Sequence, residues 1–550
     1  MGEGSRHSAL GARHSADGAA ARAPHDEFSL ESIVGSLDQA TFIHFLLPRR
    51  WYGGKGRAPD LVRLDGFIPL PWRDGRFGIA RLLVEAGGRA THYQLPLALR
   101  AESELPSDGP RAVLARLEGE GGARIVHDAT EDADFRAELA RAFETGARFE
   151  GYGAMGSAAG NARWVIEPLG APVRLPERSR VGSAEQSNTS ILFDDAAILK
   201  LFRRLEAGEH PDVEIGRFLT GGRDGSGGFR HTPALLGTIR FEEEGASAVA
   251  GMLQVLVPGS GDAWAHVLER GRAWFGASPT ARLSAPDVAA DAERLGRITR
   301  EMHEALAAPR AAESPAFAPE PATEEDLEEW MEGTREMMEE GFTLLEERLR
   351  AGALPADRVA EARALVGRHD AYLELVEDLG ERVGEDAGSM IRHHGDYHLG
   401  QVLRSAAGDF LVIDFEGEPA RPLEERRRKR SPLRDVAGML RSFAYAAATL
   451  AQERRGALEP RVLEPRAAQW ERAAREAFMR GYGEGSASGG AAAEPSRVLP
   501  RTPAATDALI GLFETEKVFY ELAYELNNRP DWVWIPLRGI ARLLYRPETM

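Results

Sequence analysis

Apolar positions fall into two rhythms along the chain. Over residues 25–110 they form short runs broken by Gly, Pro and Arg, as at Phe67-Ile68-Pro69-Leu70 and Tyr93-Gln94-Leu95-Pro96-Leu97, which predicts strands, with helical pieces over 30–47. Residues 111–172 read as a mixed linker and helical region with one amphipathic helix over 131–143. From residue 174 the pattern sharpens. A polar stretch, 181–190, leads into Ile191-Leu192-Phe193, an Asp194-Asp195 turn and the apolar run 197–202, a hairpin signal. A helix after Pro211 follows, then an apolar strand stopped by Pro258-Gly259 and a helix containing Trp264. Residues 285–380 are helical in spacing, and acidic clusters such as Glu324-Glu325-Asp326 read as a solvated helix face. Residues 483–496 form a Gly/Ala/Ser/Glu linker. The last pattern is a helix over 506–527. Its Leu509, Leu512, Phe519, Leu522 and Leu526 form an apolar stripe, while Glu516, Tyr520 and Tyr524 recur every four residues on another face.

One stretch between these rhythms carries the chemistry: residues 393–419, HHGDYHLGQVLRSAAGDFLVIDFEGEP. Asp396 sits in a polar loop, Asp414 closes the run Phe410-Leu411-Val412-Ile413, and a Ser-Ala-Ala-Gly-Asp turn joins Val402-Leu403-Arg404 to that run. A hairpin returns the chain to its start, so it brings Asp396, Gln401 and Asp414 around one space. Two carboxylates and an amide oxygen suit phosphoryl transfer, with Asp396 accepting a hydroxyl proton and Gln401 with Asp414 holding magnesium. The pattern HGD-x4-Q followed by DFE is similar to the HRD-x4-N and DFG pair of protein kinases, in the HGD form of aminoglycoside and choline kinases.

Over a longer span the chain resembles the maltokinases, which use ATP to make maltose 1-phosphate. The resemblance rests on HGDYHLGQ, on DFEGEPARPLEERRRKRSPLRDVAGMLRSFAYA at 414–446, on RRWYGGKGR at 49–57, on EQSNTS at 185–190, and on LKLFRRLEAGEHPDVEIGRFL at 199–219. It implies an α+β, bilobal protein-kinase-like fold of the aminoglycoside phosphotransferase type with an N-terminal strand-rich cap. The expected division is a disordered tail at 1–24, the cap at 25–110, an intermediate region and nucleotide-binding lobe at 111–260, and a mostly helical lobe at 261–550.

Lysine usage adds weight to one position. Only Lys55, Lys200, Lys429 and Lys517 occur among 68 basic residues, and Lys200 lies inside an apolar strand. A cation there needs a partner. Glu214 on the following helix is the expected one, the pair holding ATP phosphates as in kinases. Gln186, Ser187, Asn188 and Thr189 would cover the phosphates in place of a glycine-rich loop, and Gln254, Val255 and Leu256 would read adenine through their backbone. Residues 49–57 are either a phosphate or substrate contact or a glycine turn packed under an aromatic pair. Glu416 and Glu418 either accept sugar hydroxyls or pair with Arg421 and the run 426–430, itself a solvated or pairing segment. His398, Glu516, Tyr520 and Tyr524 are candidate sugar contacts, rings stacking on sugar C–H faces and hydroxyl tips bonding; Arg538 and Arg542 are weaker ones. Asp435 is expected to N-cap a helix over 436–445 and, by the resemblance, to brace the catalytic loop.

Composition narrows the classes. A net charge of −18 and an isoelectric point near 5.4 argue against nucleic-acid binding. With no cysteine, disulfides and thiolate chemistry are excluded. Residues 1–23 lack a secretion signal, and no apolar run approaches the ~20 residues of a membrane span. The expectation is a cytoplasmic ATP- and magnesium-dependent maltokinase, monomer or homodimer, with a trehalose synthase as a separate partner. Three alternatives stand: a glucosamine or other sugar kinase of the same fold, a non-catalytic nucleotide-binding module, and a metallohydrolase with His393, His394, Asp396 and His398 on zinc.

Overall fold

The alternating segments fold into one antiparallel sheet that closes on itself. A computed structural model describes residues 29–54, 57–105, 112–119, 122–153, 160–170, 173–182, 188–220, 228–277, 288–308, 311, 314–419, 421–484 and 498–544. Its strands are β1 (Leu61–Leu70), β2 (Phe77–Ala86), β3 (Arg89–Ala101), β4 (Val113–Leu117), β5 (Arg124–Asp128), β6 (Ala147–Gly153), β7 (Gly160–Pro168), β8 (Ser179–Val181), β9 (Asn188–Phe193), β10 (Ala197–Phe202), β11 (Arg204–Leu205), β12 (Leu235–Glu243) and β13 (Ala246–Val255). They run in the order β4-β5-β3-β2-β1-β6-β7-β12-β13-β10-β9-β8, and β11, the continuation of β10, pairs back onto β3. The turns have the chemistry that tight hairpins need. Gly87 and Gly88 both take positive φ between β2 and β3, and Asp194 takes φ 46° between β9 and β10.

The region 111–172 therefore contributes four strands rather than a linker with helices. Its alternation is short and interrupted by glycine, but Ala162, Trp164 and Ile166 of β7 are buried at every second position, which is a strand period. The helix within it is present, at Ala133–Thr145, with Phe135, Leu139 and Phe143 packed against Phe77, Trp164 and Phe193. On the outer part of the sheet, helices Leu30–Ser36 and Gln39–Leu46 bury Phe42, Phe45 and Leu46 with Trp51, Phe67 and Leu95.

The seam where β11 meets β3 is polar and buried. Gln94 gives its side-chain N–H groups to the carbonyls of Phe202 and Ala250 and accepts from the Trp164 indole. Arg203 places Nη2 2.6 Å from Asp128 Oδ2, donates from Nε to Thr189 Oγ1 at 2.8 Å, and lies over the Trp51 ring. These contacts join Trp51, β3 and β5 to the strands that carry Lys200.

After β13 the chain crosses to a helical lobe. A small sheet of Gly259–Asp262, Val402–Ser405 and Phe410–Val412 lies at its upper end. Behind it the long helices Val288–Leu306, Glu324–Arg350, Leu433–Glu453, Pro460–Glu484 and Pro503–Asn528 share one core. Helix Glu324–Arg350 starts with a capping box in which Thr323 and Asp326 exchange bonds, so at least this part of the acidic cluster serves the helix end.

Replacing Arg203 by Met leaves the Asp128 carboxylate buried without its cation. We expect a loss of about 3–5 kcal/mol in chemical denaturation. A loss under about 1 kcal/mol would show that the seam is not what holds the cap.

Candidate functional site

The catalytic-loop candidate is fixed from below by one carboxylate. Asp435 accepts the His394 N–H at 2.8 Å and the Gly395 N–H at 3.0 Å, and His303 Nε2 lies 3.1 Å from it. It does not cap a helix, because helix Leu433–Glu453 begins two residues earlier and leaves Asp435 in the first turn, facing the loop. Burial opposes its charge, but the neighbouring histidines hold it well below the usual carboxylate range. Gly395 has φ 84° and any Cβ on it would come 3.2 Å from the Gly417 backbone, so glycine is required there.

His394 ties this loop to the second aspartate. Its Nδ1 receives the Asp396 N–H at 3.4 Å, which leaves Nε2–H to donate to the Ile413 carbonyl at 2.9 Å. Ile413 in turn donates to the Gln401 carbonyl at 3.0 Å, extending the expected hairpin of Val402–Ser405 and Phe410–Val412. Asp414 then turns into the left-handed region at φ 70°, unusual for a non-glycine residue. The strained turn is held by the Phe415 N–H on Asp212 Oδ1 at 3.0 Å and by Lys200 Nζ on Asp414 Oδ1 at 2.9 Å. Burial works against the Asp414 charge, yet Lys200, His394 and a bond from the Gln401 side chain lower its pKa overall.

Lys200 is where strand β10 was expected to put it, but its partner differs. Nζ bridges Asp414 and Asp212, the latter at 3.0 Å, while Glu214 binds Arg392 Nη1 at 2.7 Å and Arg427 Nη2 at 2.9 Å. Helix Pro211–Leu219 explains the exchange: two residues turn the helix by about 200°, so Asp212 and Glu214 face opposite sides. Burial disfavours the ammonium, and the two carboxylates outweigh it and raise its pKa.

Other expected nucleotide contacts are placed differently. Gln186 and Ser187 lie outside the described residues, as does Lys55. Asn188 opens β9 and is half-buried, whereas Thr189 is buried and its hydroxyl accepts from Arg203. Gln254 is buried in β13, and the N–H groups of Val255 and Leu256 donate to Ala234 and Ala196. Those two amides are therefore not free to read a base. In residues 49–54 the glycine turn is the reading found, since Gly54 lies against the Tyr52 ring and both aromatics are buried.

Beside Asp396 lies a cavity of about 640 Å³ walled by the loop, the segment after Asp414, and helices Leu433–Glu453 and Pro503–Asn528. His398, Glu418, Glu516 and Tyr520 line it as expected. Burial lowers the pKa of His398, whose Nε2 is 3.9 Å from Asp396. Glu516 pairs with Arg434 at 2.6 Å. Glu416 points instead toward Lys200's surroundings, 3.7 Å from His210, and burial with the Asp414 charge pushes it up to about 8. Tyr524 lies on the exposed side of its helix under Arg529. Arg538 and Arg542 bind Glu464 and Glu471 on helix Pro460–Glu484, outside the cavity. Their spacing along the chain could not reveal that acidic helix face.

Sequence reasoning missed Lys517. It lines the cavity, binds Glu418 Oε1 at 2.9 Å and sits 4.8 Å from the Tyr520 ring centroid. The scarcity of lysine that drew attention to Lys200 applied equally here. Burial resists the Glu418 charge, but Lys517 and Arg421 bring its pKa down to about 2.

The donor set fits magnesium better than zinc. Gln401 and Asp414 can offer hard oxygens side by side at the open end of the hairpin, and Mg²⁺ keeps most of its shell for water and phosphate. Both His394 nitrogens are engaged, and among the described residues no three His, Asp or Glu side chains converge as a metal cluster, so the metallohydrolase reading lacks its ligands.

Residues 45–132 match the maltokinase N-terminal cap domain. The chain carries this cap. It is 26% identical over 364 residues to a glucosamine kinase of Mycolicibacterium smegmatis, covering 66% of this chain and 78% of that one. A glucosamine kinase of Streptacidiphilus jiangxiensis is 27% identical over 474 residues, 82% of this chain and 94% of that one. Among solved structures, a glucosamine kinase in crystal form B superposes with a TM-score of 0.63 at 21% identity, covering 94% of this chain and all of that one. A glucosamine kinase in complex with glucosamine, ADP and inorganic phosphate gives 0.61 at 20% identity, covering 94% and 99%. The α+β, cap-bearing kinase-like fold expected from the sequence is thus the fold of the chain. No helix among the described residues is long and apolar enough to cross a membrane.

In the capped kinase-like chain, Asp435→Ala should cost about 3–5 kcal/mol in denaturant and disorder the loop, because three donors lose their acceptor. An unchanged midpoint would refute the bracing role. The Glu418–Lys517 pair gives a pH prediction. Glu418 has a depressed folded pKa, so its stabilisation is complete above the unfolded value of about 4.3 and is lost as pH falls toward 2. The stability gap between wild type and Glu418→Gln should shrink over that window; a constant gap would mean that the charge contributes nothing.

Proposed function

We propose that this protein is an ATP- and Mg²⁺-dependent sugar kinase, with maltose as acceptor and maltose 1-phosphate as product. The observation that carries the reading is the junction of Lys200, Asp414 and Gln401 beside Asp396, with a roomy cavity opening at that carboxylate. Asp396 accepts the proton of the sugar hydroxyl as its oxygen bonds to the γ-phosphorus and the bond to ADP breaks. Lys200 stays an ammonium and holds phosphate oxygens; Asp212 positions it, the role first expected of Glu214. Gln401 and Asp414 would hold Mg²⁺, which supplies charge neutralisation at the phosphates. His394 and Asp435 keep the two aspartates in register.

Maltose is favoured by three supports: the maltokinase-type cap, a cavity larger than one hexose ring needs, and the pairing of its acidic side walls. Glu418, Glu516 and Glu521 are each bound to a basic side chain, so apart from Asp396 these walls offer little to an ammonium group. The second reading is glucosamine, favoured by the relatives' printed activity. On either reading Lys517, Glu418 and Tyr520 contact the sugar.

ADP release should be measured with ATP and magnesium against maltose, glucose, glucosamine and trehalose. We expect turnover with maltose, and a kcat reduced ~10²- to 10⁴-fold in Asp396→Asn. Turnover confined to glucosamine would replace the acceptor, and near-normal kcat in the variant would remove Asp396 from its role.

A further inference from the structure

The basic run 426–430 resolves into residues with quite different fates. Arg426 binds Glu206 and the Glu416 carbonyl, Arg427 binds Glu214, and Lys429 binds Glu320. Arg428 is exposed. Arg430 lines the cavity beside Asp396, as Arg426 does, but among the described residues no carboxylate or carbonyl bonds to its side chain. Its position is not a matter of a loose chain. Its backbone exchanges two hydrogen bonds with Ile391, each 3.0 Å, and the buried Ser431 follows.

The nearest charges make the arrangement costlier. Arg421 and Arg434 line the same cavity, one held by Glu418 at 2.8 Å and the other by Glu516 at 2.6 Å, so their own charges are satisfied while Arg430's is not. Burial, then Arg434 and Arg421, lower the Arg430 pKa, against a smaller opposite pull from Glu516 and Glu329, neither of which bonds to it. Guanidinium forks converging on one wall are suited to an anion with several oxygens, which a single fork can bind through two bonds.

We propose that Arg430, flanked by Arg421 and Arg434, binds a phosphate group inside the acceptor cavity. Arg430 donates directly, and the flanking guanidiniums supply field and the remaining donors. A sugar phosphate seated there occupies space that the acceptor needs, so it competes with the acceptor. That last consequence rests on the sugar-kinase reading; the binding itself does not.

Isothermal titration of the full chain without nucleotide, at fixed ionic strength, tests it with two probes, inorganic phosphate and glucose 6-phosphate. Both wild type and Arg428→Gln should bind with the same affinity within about twofold. Arg430→Gln should weaken binding roughly 10- to 100-fold, the weight of a charge-assisted hydrogen bond, and Arg430→Lys should fall between. Equal affinity for the two probes assigns the site to free phosphate, and a tenfold preference for glucose 6-phosphate assigns it to a sugar-borne group. No binding by wild type at millimolar probe, or equal losses in Arg428→Gln and Arg430→Gln, would overturn the proposal. Failure of every sugar to be turned over would leave these titrations untouched and would instead sink the kinase reading.

Discussion

One half-buried ammonium joins the strand layer to the helical lobe. Lys200 comes from the strand layer, Asp212 from the helix packed on it, and Asp414 from the hairpin of the helical lobe. Removing the cation would leave two carboxylates facing each other in a partly desolvated gap, and removing either carboxylate would leave the other to balance it alone. The Asp212 carboxylate also holds the left-handed Asp414 turn, its Oδ1 accepting the Phe415 N–H while its Oδ2 binds Lys200. A strained turn, a lobe contact and the proposed phosphate clamp are therefore one interaction.

The rest of the structure keeps these three residues in register. From below, Asp435 fixes the His394-Gly395 backbone, and His394 passes that position to Ile413, the residue before Asp414. From behind, Arg392 and Arg427 bind Glu214 and hold the far side of the helix that presents Asp212. From above, the closure of β11 on β3 and the buried Arg203–Asp128 pair join the cap to β10, the Lys200 strand. The cap is thus continuous with the site's scaffold, although none of the site's named side chains comes from it.

Much of this was legible in the chain. The HGD and DFE elements flank a hairpin that local pattern alone predicts, and that hairpin brings Gln401 and Asp414 together. Lys200 stood out because a cation on an apolar strand demands a partner. Which partner it takes was not legible, since Asp212 and Glu214 are both acidic and only the helix phase, set at Pro211, decides between them. Tertiary neighbours also hid the fate of Thr189, consumed by Arg203, and of Arg538 and Arg542, consumed by an acidic helix face. Of the four strands in 111–172, β4 and β5 are only five residues long and Gly151 interrupts β6, so their period is faint. Lys517 was legible by the same scarcity argument as Lys200 but sits on a helix, where a lysine is ordinary.

Asp414 is the proposed junction between the lysine and a magnesium-bound nucleotide. The most direct measurement is ATP affinity with and without Mg²⁺, by calorimetry, for wild type and Asp414→Asn. Mg²⁺ is expected to tighten ATP binding in wild type by at least ~10-fold and the variant to lose this dependence, since a carboxylate is one of only two protein ligands Mg²⁺ would have. Full magnesium dependence in Asp414→Asn would contradict it.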